Sequence, residues 1–338
     1  MSLMTAARRV FQRLWKHTSV LAVLLPMSLA PSIFGQDFSG MVVFGTSLSD
    51  PGNHFIEFGT TALQPFAAVP DASYAIGGHH FTNGATWVEQ VATSLHLPNG
   101  GSPALRRGGV FGNYAMGRAR VRPCTTVPAA CPDGQYPFGV VEVGFEVTQF
   151  LSDVGGNAPP SYLYVIEVGG NDVNDALVAL STDPTFTTSA AIIAAAVTAE
   201  AAHLQSLYNA GARTFLITSA PNFALTPYVR ALGPNAQFAA TYLAAAYDGA
   251  LNSSVLTPLS GLPGIQFIHF DFNSILAQIE AQPAPFGITN AMDPCLAFGG
   301  IGNSTCSTPK RYLFWDGVHP TTTAHSLVAA GALQALSH

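Results

Sequence analysis

Four short apolar runs, at residues 41–45, 162–169, 212–219 and 265–271, are separated by segments with the apolar spacing of helices. This alternation constrains the fold more than any other feature of the chain. Runs of this length bounded by turn residues read as strands buried on both faces. Residues 190–209, 235–256 and 321–336 are Ala-rich and helical in pattern, and the first stops at Gly211, a residue suited to a helix C-terminus. Strand and helix in alternation predict an α/β fold, a doubly wound and mostly parallel sheet with helices on both faces. Ligands of such sheets bind beyond the carboxyl ends of the strands, so functional motifs should fall just after a strand. Residues 59–160 are different, rich in Gly, Pro and turns, and read as loops and short helices elaborating one side of the crevice. They belong to one domain over 36–338 and not to a second one.

The first 35 residues carry Arg8, Arg9, Arg13 and Lys16, no acid, and an apolar stretch at 20–29. A basic segment followed by a short apolar one is the pattern of a secretory signal peptide. The apolar stretch is broken by Pro26 and falls short of the roughly 20 residues a membrane span needs. The expected destination is extracytoplasmic, secreted or periplasmic. Without this leader nine basic and nineteen acidic residues remain, a formal charge of −10. Such a chain is a poor ligand for nucleic acid, which needs clustered cations. The one local exception, Arg106, Arg107, Arg118, Arg120 and Arg122, reads either as a phosphate-attracting patch or as a loop paired with acids. Cys124 and Cys131 form one close pair and Cys295 and Cys306 another. In an exported chain these predict two disulfides, paired sequentially, and the spacing does not suit zinc.

Three segments carry chemistry. Ser47 lies in Gly45-Thr46-Ser47-Leu48-Ser49-Asp50, directly after the first strand. A hydroxyl there faces the crevice with a backbone N–H beside it, which suits a nucleophile whose attack creates an oxyanion. Asn171 lies in Gly169-Gly170-Asn171-Asp172, after the second strand, where its amide can serve as an oxyanion donor. Asp316 and His319 lie in Asp316-Gly317-Val318-His319-Pro320-Thr321, before the last helix. A neutral imidazole can take the serine proton while Asp316 fixes its tautomer. Taken singly, these read as an N-cap serine, a turn asparagine and a structural Asp–His pair. Their joint occurrence, each at a strand or helix end, points to nucleophilic catalysis. No Gly-x-Ser-x-Gly elbow surrounds Ser47, so the α/β-hydrolase pattern is absent.

These blocks resemble those of the GDSL or SGNH hydrolases, Gly-Asp-Ser-Leu-Ser-Asp, Gly-x-Asn-Asp and Asp-x-x-His-Pro-Thr. Residues 81–90 (Phe-Thr-Asn-Gly-Ala-Thr-Trp-Val-Glu-Gln) and 112–119 (Gly-Asn-Tyr-Ala-Met-Gly-Arg-Ala) are similar to two further segments of the exported bacterial phospholipase/lecithinase-like subgroup. The resemblance runs from about Met41 to the C-terminus. It implies a flavodoxin-like three-layer α/β/α sandwich and a carboxylic ester hydrolase that needs no cofactor or metal. Ser47 is then the nucleophile, His319 the base and Asp316 its orienter. The oxyanion hole comprises the N–H of Ser47, a backbone N–H from the 113–119 block at Gly117 or Arg118, and the Asn171 side chain. Implied partners are lipid or small-molecule esters, with transient contact at a membrane surface. Two departures stand out: Thr46 replaces the family's Asp, and Arg118 stands where a glycine is expected. They motivate one alternative, a catalytically impaired domain that binds glycan or lipid. The other is acyl transfer through the same acyl-enzyme.

Overall fold

The computed structural model describes residues 37–58, 79–127, 141–297 and 304–337. The leader and Cys131 therefore lie outside the described residues, as does much of the loop-rich stretch. Four parallel strands form the main sheet in the order β1 (Gly40–Gly45), β2 (Tyr162–Glu167), β3 (Thr214–Thr218) and β4 (Gln266–Phe270). These are the four apolar runs: β1 begins one residue earlier than its run, and the other three strands are two or three residues shorter than theirs.

Period-two alternation assigns the faces of the sheet. Val42 and Phe44 of β1, Tyr164 and Ile166 of β2, and Phe215 and Ile217 of β3 pack in one core. Met41, Val43, Leu163, Val165, Leu216 and Phe270 pack in the other. The second face is covered by α2 (Trp87–Ser94), which follows the short α1 (Asn53–Phe58), and by two helices near the C-terminus. The first face is covered by α3 (Val143–Asp153), α4 (Gly170–Ala179), α5 (Thr187–Ala210) and, beyond the small α6 (Pro227–Ala231), α7 (Pro234–Leu251). After β4 come α8 (Phe272–Ala281) and α9 (Thr322–Leu336), the pair that completes the second face. The expected three-layer α/β/α arrangement is the one observed. Because the strand order is sequential, the second helical layer is built from the segment after β1 and from the C-terminus.

Local chemistry sets the ends of these elements. Gly211 takes φ +123° after α5, and a Cβ there would meet the Ala158 carbonyl at 2.4 Å. Thr321 accepts the Ala324 N–H to begin α9. The helix read at 235–256 runs as α7 and then continues through a π-helical turn over Asn252–Leu256. Helix α3, inside the stretch read as loops and short helices, is eleven residues long and buries Phe150 edge-on against Phe44, Tyr114 and Tyr164. Cys295 and Cys306 are joined as expected. Cys124 is also disulfide-bonded, and its expected partner Cys131 is outside the described residues.

The arginine cluster divides. Arg106 and Arg107 are exposed, whereas Arg120 and Arg122 are buried and paired with acids of α4. Arg120 forks onto both oxygens of Asp175, and Arg122 bridges Asp172 (3.0 Å) and Asp175 (2.9 Å). Asp172 also accepts the Val121 N–H at 2.8 Å. The network ties the start of α4, and hence Asn171, to the segment that follows Arg118. It replaces the phosphate-attracting role open to these two residues by a structural one. Arg122 is fully buried, so Arg122→Ala leaves the buried Asp172 without its cation and Asp175 with Arg120 alone. Its expected cost is about 3–5 kcal/mol, read by urea denaturation. A loss below about 1 kcal/mol would show that the network does not hold the fold.

Candidate active site

β1 ends at Gly45, and the chain turns through Thr46-Ser47-Leu48-Ser49, closed by the Ser49 N–H on the Thr46 carbonyl at 3.0 Å. Ser47 is the one half-exposed residue in an otherwise buried stretch from Met41 to Asn53. Its Oγ lies 2.9 Å from His319 Nε2. His319 Nδ1 lies 2.8 Å from Asp316 Oδ2, and Asp316 Oδ1 accepts the N–H groups of Val318 and His319 at 2.8 and 2.7 Å. Both oxygens of Asp316 are therefore occupied, and the carboxyl is buried. With Nδ1 donating to Asp316, Nε2 carries the lone pair and faces the serine hydroxyl. The arrangement can pass a proton from Ser47 to His319 and hold the resulting imidazolium.

The loop bearing Asp316 and His319 is fastened on several sides. The Trp315 N–H donates to the His319 carbonyl at 2.7 Å, and the Tyr228 N–H of α6 donates to Gly317 at 2.9 Å. Residues 81–87 clasp the loop from across the chain. Phe81 packs its ring 5.4 Å from that of His319, Thr82 donates to the Pro320 carbonyl, and Asn83 accepts the Thr322 N–H. The Trp87 N–H donates to His325 Nδ1 at 3.2 Å, and burial holds His325 neutral, its pKa lowered to about 3. Sequence reading recognised this segment only by family likeness; its work here is to hold the histidine loop against the serine turn.

The oxyanion side resolves differently from expectation at one residue. Gly117 gives its N–H to Asp50 Oδ2 at 2.7 Å, which commits that donor inward. Gly117 is needed for another reason, since a Cβ there would meet the Phe81 ring at 2.2 Å. Arg118 takes φ +71°, the left-handed conformation natural to glycine, so the backbone keeps the form expected of the glycine it replaces. Asn171 donates one amide hydrogen to the Ala119 carbonyl at 2.9 Å, and its Nδ2 carries a second. Gly169, at φ +89°, sets up this turn under the ring of Tyr247, 2.7 Å from where a Cβ would stand. The 113–119 block is stitched to β1 and the serine turn. The Val43 N–H donates to the Gly112 carbonyl, the Tyr114 N–H donates to the Val43 carbonyl, and Asn113 Nδ2 donates to the Ser49 carbonyl.

Three buried carboxylates lie beneath the turn. Glu167 accepts from the Thr46 N–H, the Thr46 hydroxyl and the Ser49 hydroxyl, and Glu146 accepts from the N–H groups of Gly45 and Met116. Asp50 accepts from Gly52, Asn53, His54 and Gly117. Burial raises all three: Asp50 to about 6, Glu167 to about 7 and Glu146 well above the ordinary carboxylate range. The sequence carried a signal for Glu167, a lone acid inside an apolar strand. His54 packs on Phe58 and Phe81, His80 pairs with Glu89, and no cluster of metal-ligating side chains occurs among the described residues.

The chain matches the family model of the GDSL-like lipase/acylhydrolases over residues 41–332. It is similar to a GDSL esterase/lipase of Arabidopsis thaliana, 25% identical over 318 residues, which is 85% of this chain and 84% of that protein. A second GDSL esterase/lipase of the same plant is 28% identical over 327 residues, 86% of this chain and 80% of the relative. An uncharacterized protein of Pseudomonas putida, from its trpE-trpG intergenic region, is 28% identical over 317 residues, 89% of this chain but 49% of its own length. With the model matched across most of its length, the chain belongs to the GDSL-like lipase/acylhydrolase family, a family of carboxylic ester hydrolases.

Proposed function

We propose that this chain is an exported serine esterase that cleaves lipid or small acyl esters through Ser47, His319 and Asp316. The observation that carries the reading is the unbroken line from Ser47 Oγ to His319 Nε2 to Asp316, at 2.9 and 2.8 Å. In the first step the Ser47 O–H bond breaks, its proton moves to His319 Nε2, and Oγ bonds the ester carbonyl carbon. The carbonyl oxygen becomes an anion facing the Ser47 N–H, the Asn171 amide and the backbone at Arg118. Collapse expels the alcohol, which takes the proton from His319 and leaves an acyl-enzyme. Water then repeats the sequence in reverse and releases the acid. Asp316 serves throughout by keeping the imidazole oriented and stabilising its charged form.

Burial of Arg120 and Arg122 withdraws both from any phosphate on a substrate, which leaves the exposed Arg106 and Arg107 and the half-buried Arg118 as the cations of that cluster open to one. Leu232, Phe238 and Tyr242, which follow the helix that contacts Gly317, are exposed apolar side chains suited to contact with lipid. Export rests on the basic and apolar leader, and places the hydrolase domain at 36–338. The subgroup likeness to exported bacterial phospholipases belongs to this proposal as well.

A fluorophosphonate probe followed by peptide mapping should label Ser47 in the folded chain, and Ser47→Ala should abolish both labelling and p-nitrophenyl ester turnover. Absence of label would leave a binding domain. Asn171→Ala should lower kcat by about 10²–10³-fold with a smaller change in KM. Arg118→Gly should raise stability by about 0.5–1 kcal/mol in urea, because glycine adopts φ +71° without strain, and turnover should persist. A less stable Arg118→Gly would mean that the arginine side chain outweighs its backbone strain.

A further inference from the structure

We propose that Glu167 is a positioning residue for the nucleophile, holding the Ser47 turn from both sides, and that Thr46 is its matched donor. The inference rests on the reading of Ser47 as nucleophile and deepens it. Ser47 is flanked at −1 and +2 by residues whose hydrogen bonds converge on one carboxylate. The Thr46 N–H and Oγ1 both lie 3.1 Å from Glu167, and Ser49 Oγ lies 3.0 Å away. Trp87 Nε1 donates to Ser49 Oγ at 3.1 Å, so the single Ser49 hydroxyl proton is directed at Glu167. Glu167 is fully buried at the end of β2, in register with Gly45, and a Cβ on Gly45 would stand 3.2 Å from its Oε2.

This arrangement gives a physical reason for the departure at Thr46. An aspartate in that place, as in the family block, would set a second carboxylate against Glu167 with no donor between them. Thr46 supplies that donor. Here the acid sits on the neighbouring strand and the turn supplies the donor. Glu146 takes the Gly45 N–H, which leaves Glu167 to Thr46 and Ser49. Glu146 and His319 are the titratable groups that interact with Glu167, Asp50 stands against Glu146, and a charged His319 favours the ionised form of Glu167. Pinning both flanks fixes where the Ser47 hydroxyl stands relative to His319, a placement to which rate is steeply sensitive.

Four full-length proteins test this: wild type, Glu167→Gln, Thr46→Asp, and the two substitutions combined. For each, the thermal midpoint, the rate of fluorophosphonate labelling of Ser47, and kcat and KM for a p-nitrophenyl ester are measured. Glu167→Gln should slow labelling and lower kcat by about 10-fold or more, with KM within about twofold. Thr46→Asp should lower the midpoint and kcat more steeply in wild type than in the Glu167→Gln background. The double variant should therefore exceed Thr46→Asp in both midpoint and kcat. If Glu167→Gln does not fold, Thr46→Ser and Thr46→Val replace it. Serine keeps the donor and should match wild type, while valine should lose kcat and not KM. Two results overturn the proposal: wild-type labelling in Glu167→Gln (or wild-type kcat in Thr46→Val), and equal effects of Thr46→Asp in both backgrounds. A wild-type chain that never labels at Ser47 would instead overturn the esterase reading, and the thermal cycle would still report the Thr46–Glu167 coupling.

Discussion

Where β1 leaves the sheet, the N–H groups of Gly45 and Thr46 point into protein and have no strand beyond to accept them. An unpaired buried N–H costs as much as a lost hydrogen bond, so acceptors must be supplied from elsewhere. Here they are carboxylates, Glu146 from α3 and Glu167 from β2, about a hundred residues further along the chain. Much of this end of the sheet follows from that choice. Position 45 must be small, because the Glu167 carbonyl and Oε2 and the Ser49 Cβ crowd it. Position 46 must donate. The Met116 N–H shares Glu146 with Gly45, which draws the 113–119 block against the serine turn. Asp50 completes the join by holding the Gly117 N–H on one oxygen and the start of α1 on both.

Burying three acids has a desolvation cost, visible in the upward shifts of all three. The site tolerates them because most of their oxygens are met by N–H and O–H donors. Beneath α4 the problem is solved in another way. Asp172 and Asp175 have Arg120 and Arg122 opposite them, and the charges balance within the protein. The serine side of the site is thus built on donated hydrogen bonds and the asparagine side on ion pairs. The two are joined by the segment from Met116 to Arg122.

The parts legible in the sequence are those set by local pattern. The four apolar runs marked the strands, Gly211 the end of α5, and Thr321 the start of α9. Ser47, Asp316 and His319 could be paired because each stands at the end of an element. Less legible were residues whose partners are remote. Glu146 sits in a helix among Gly, Phe and Thr and looks like a solvent-facing acid, yet its contacts are to residues 45 and 116. Arg120 and Arg122 look like a basic surface until α4 is folded against them. Helix α3 itself was obscured by the Gly- and Pro-rich stretch before it, because its burial depends on Phe44, Tyr114 and Tyr164 from three other segments.

Arg118 shows how the two kinds of information combine. As a letter in the sequence it departs from the family where a donor to an oxyanion is expected. As a backbone it keeps φ at +71°, and a non-glycine residue held there costs of order 1 kcal/mol or more. That conformation is maintained by its neighbours: Gly117 is tied to Asp50, Ala119 to Asn171, and Arg120 to Asp175. With residues on both sides fixed, the peptide between them has little freedom to relax. The strain is therefore carried by the same contacts that bring Asn171 and the serine turn together. A side chain foreign to the block can occupy the position without dismantling it.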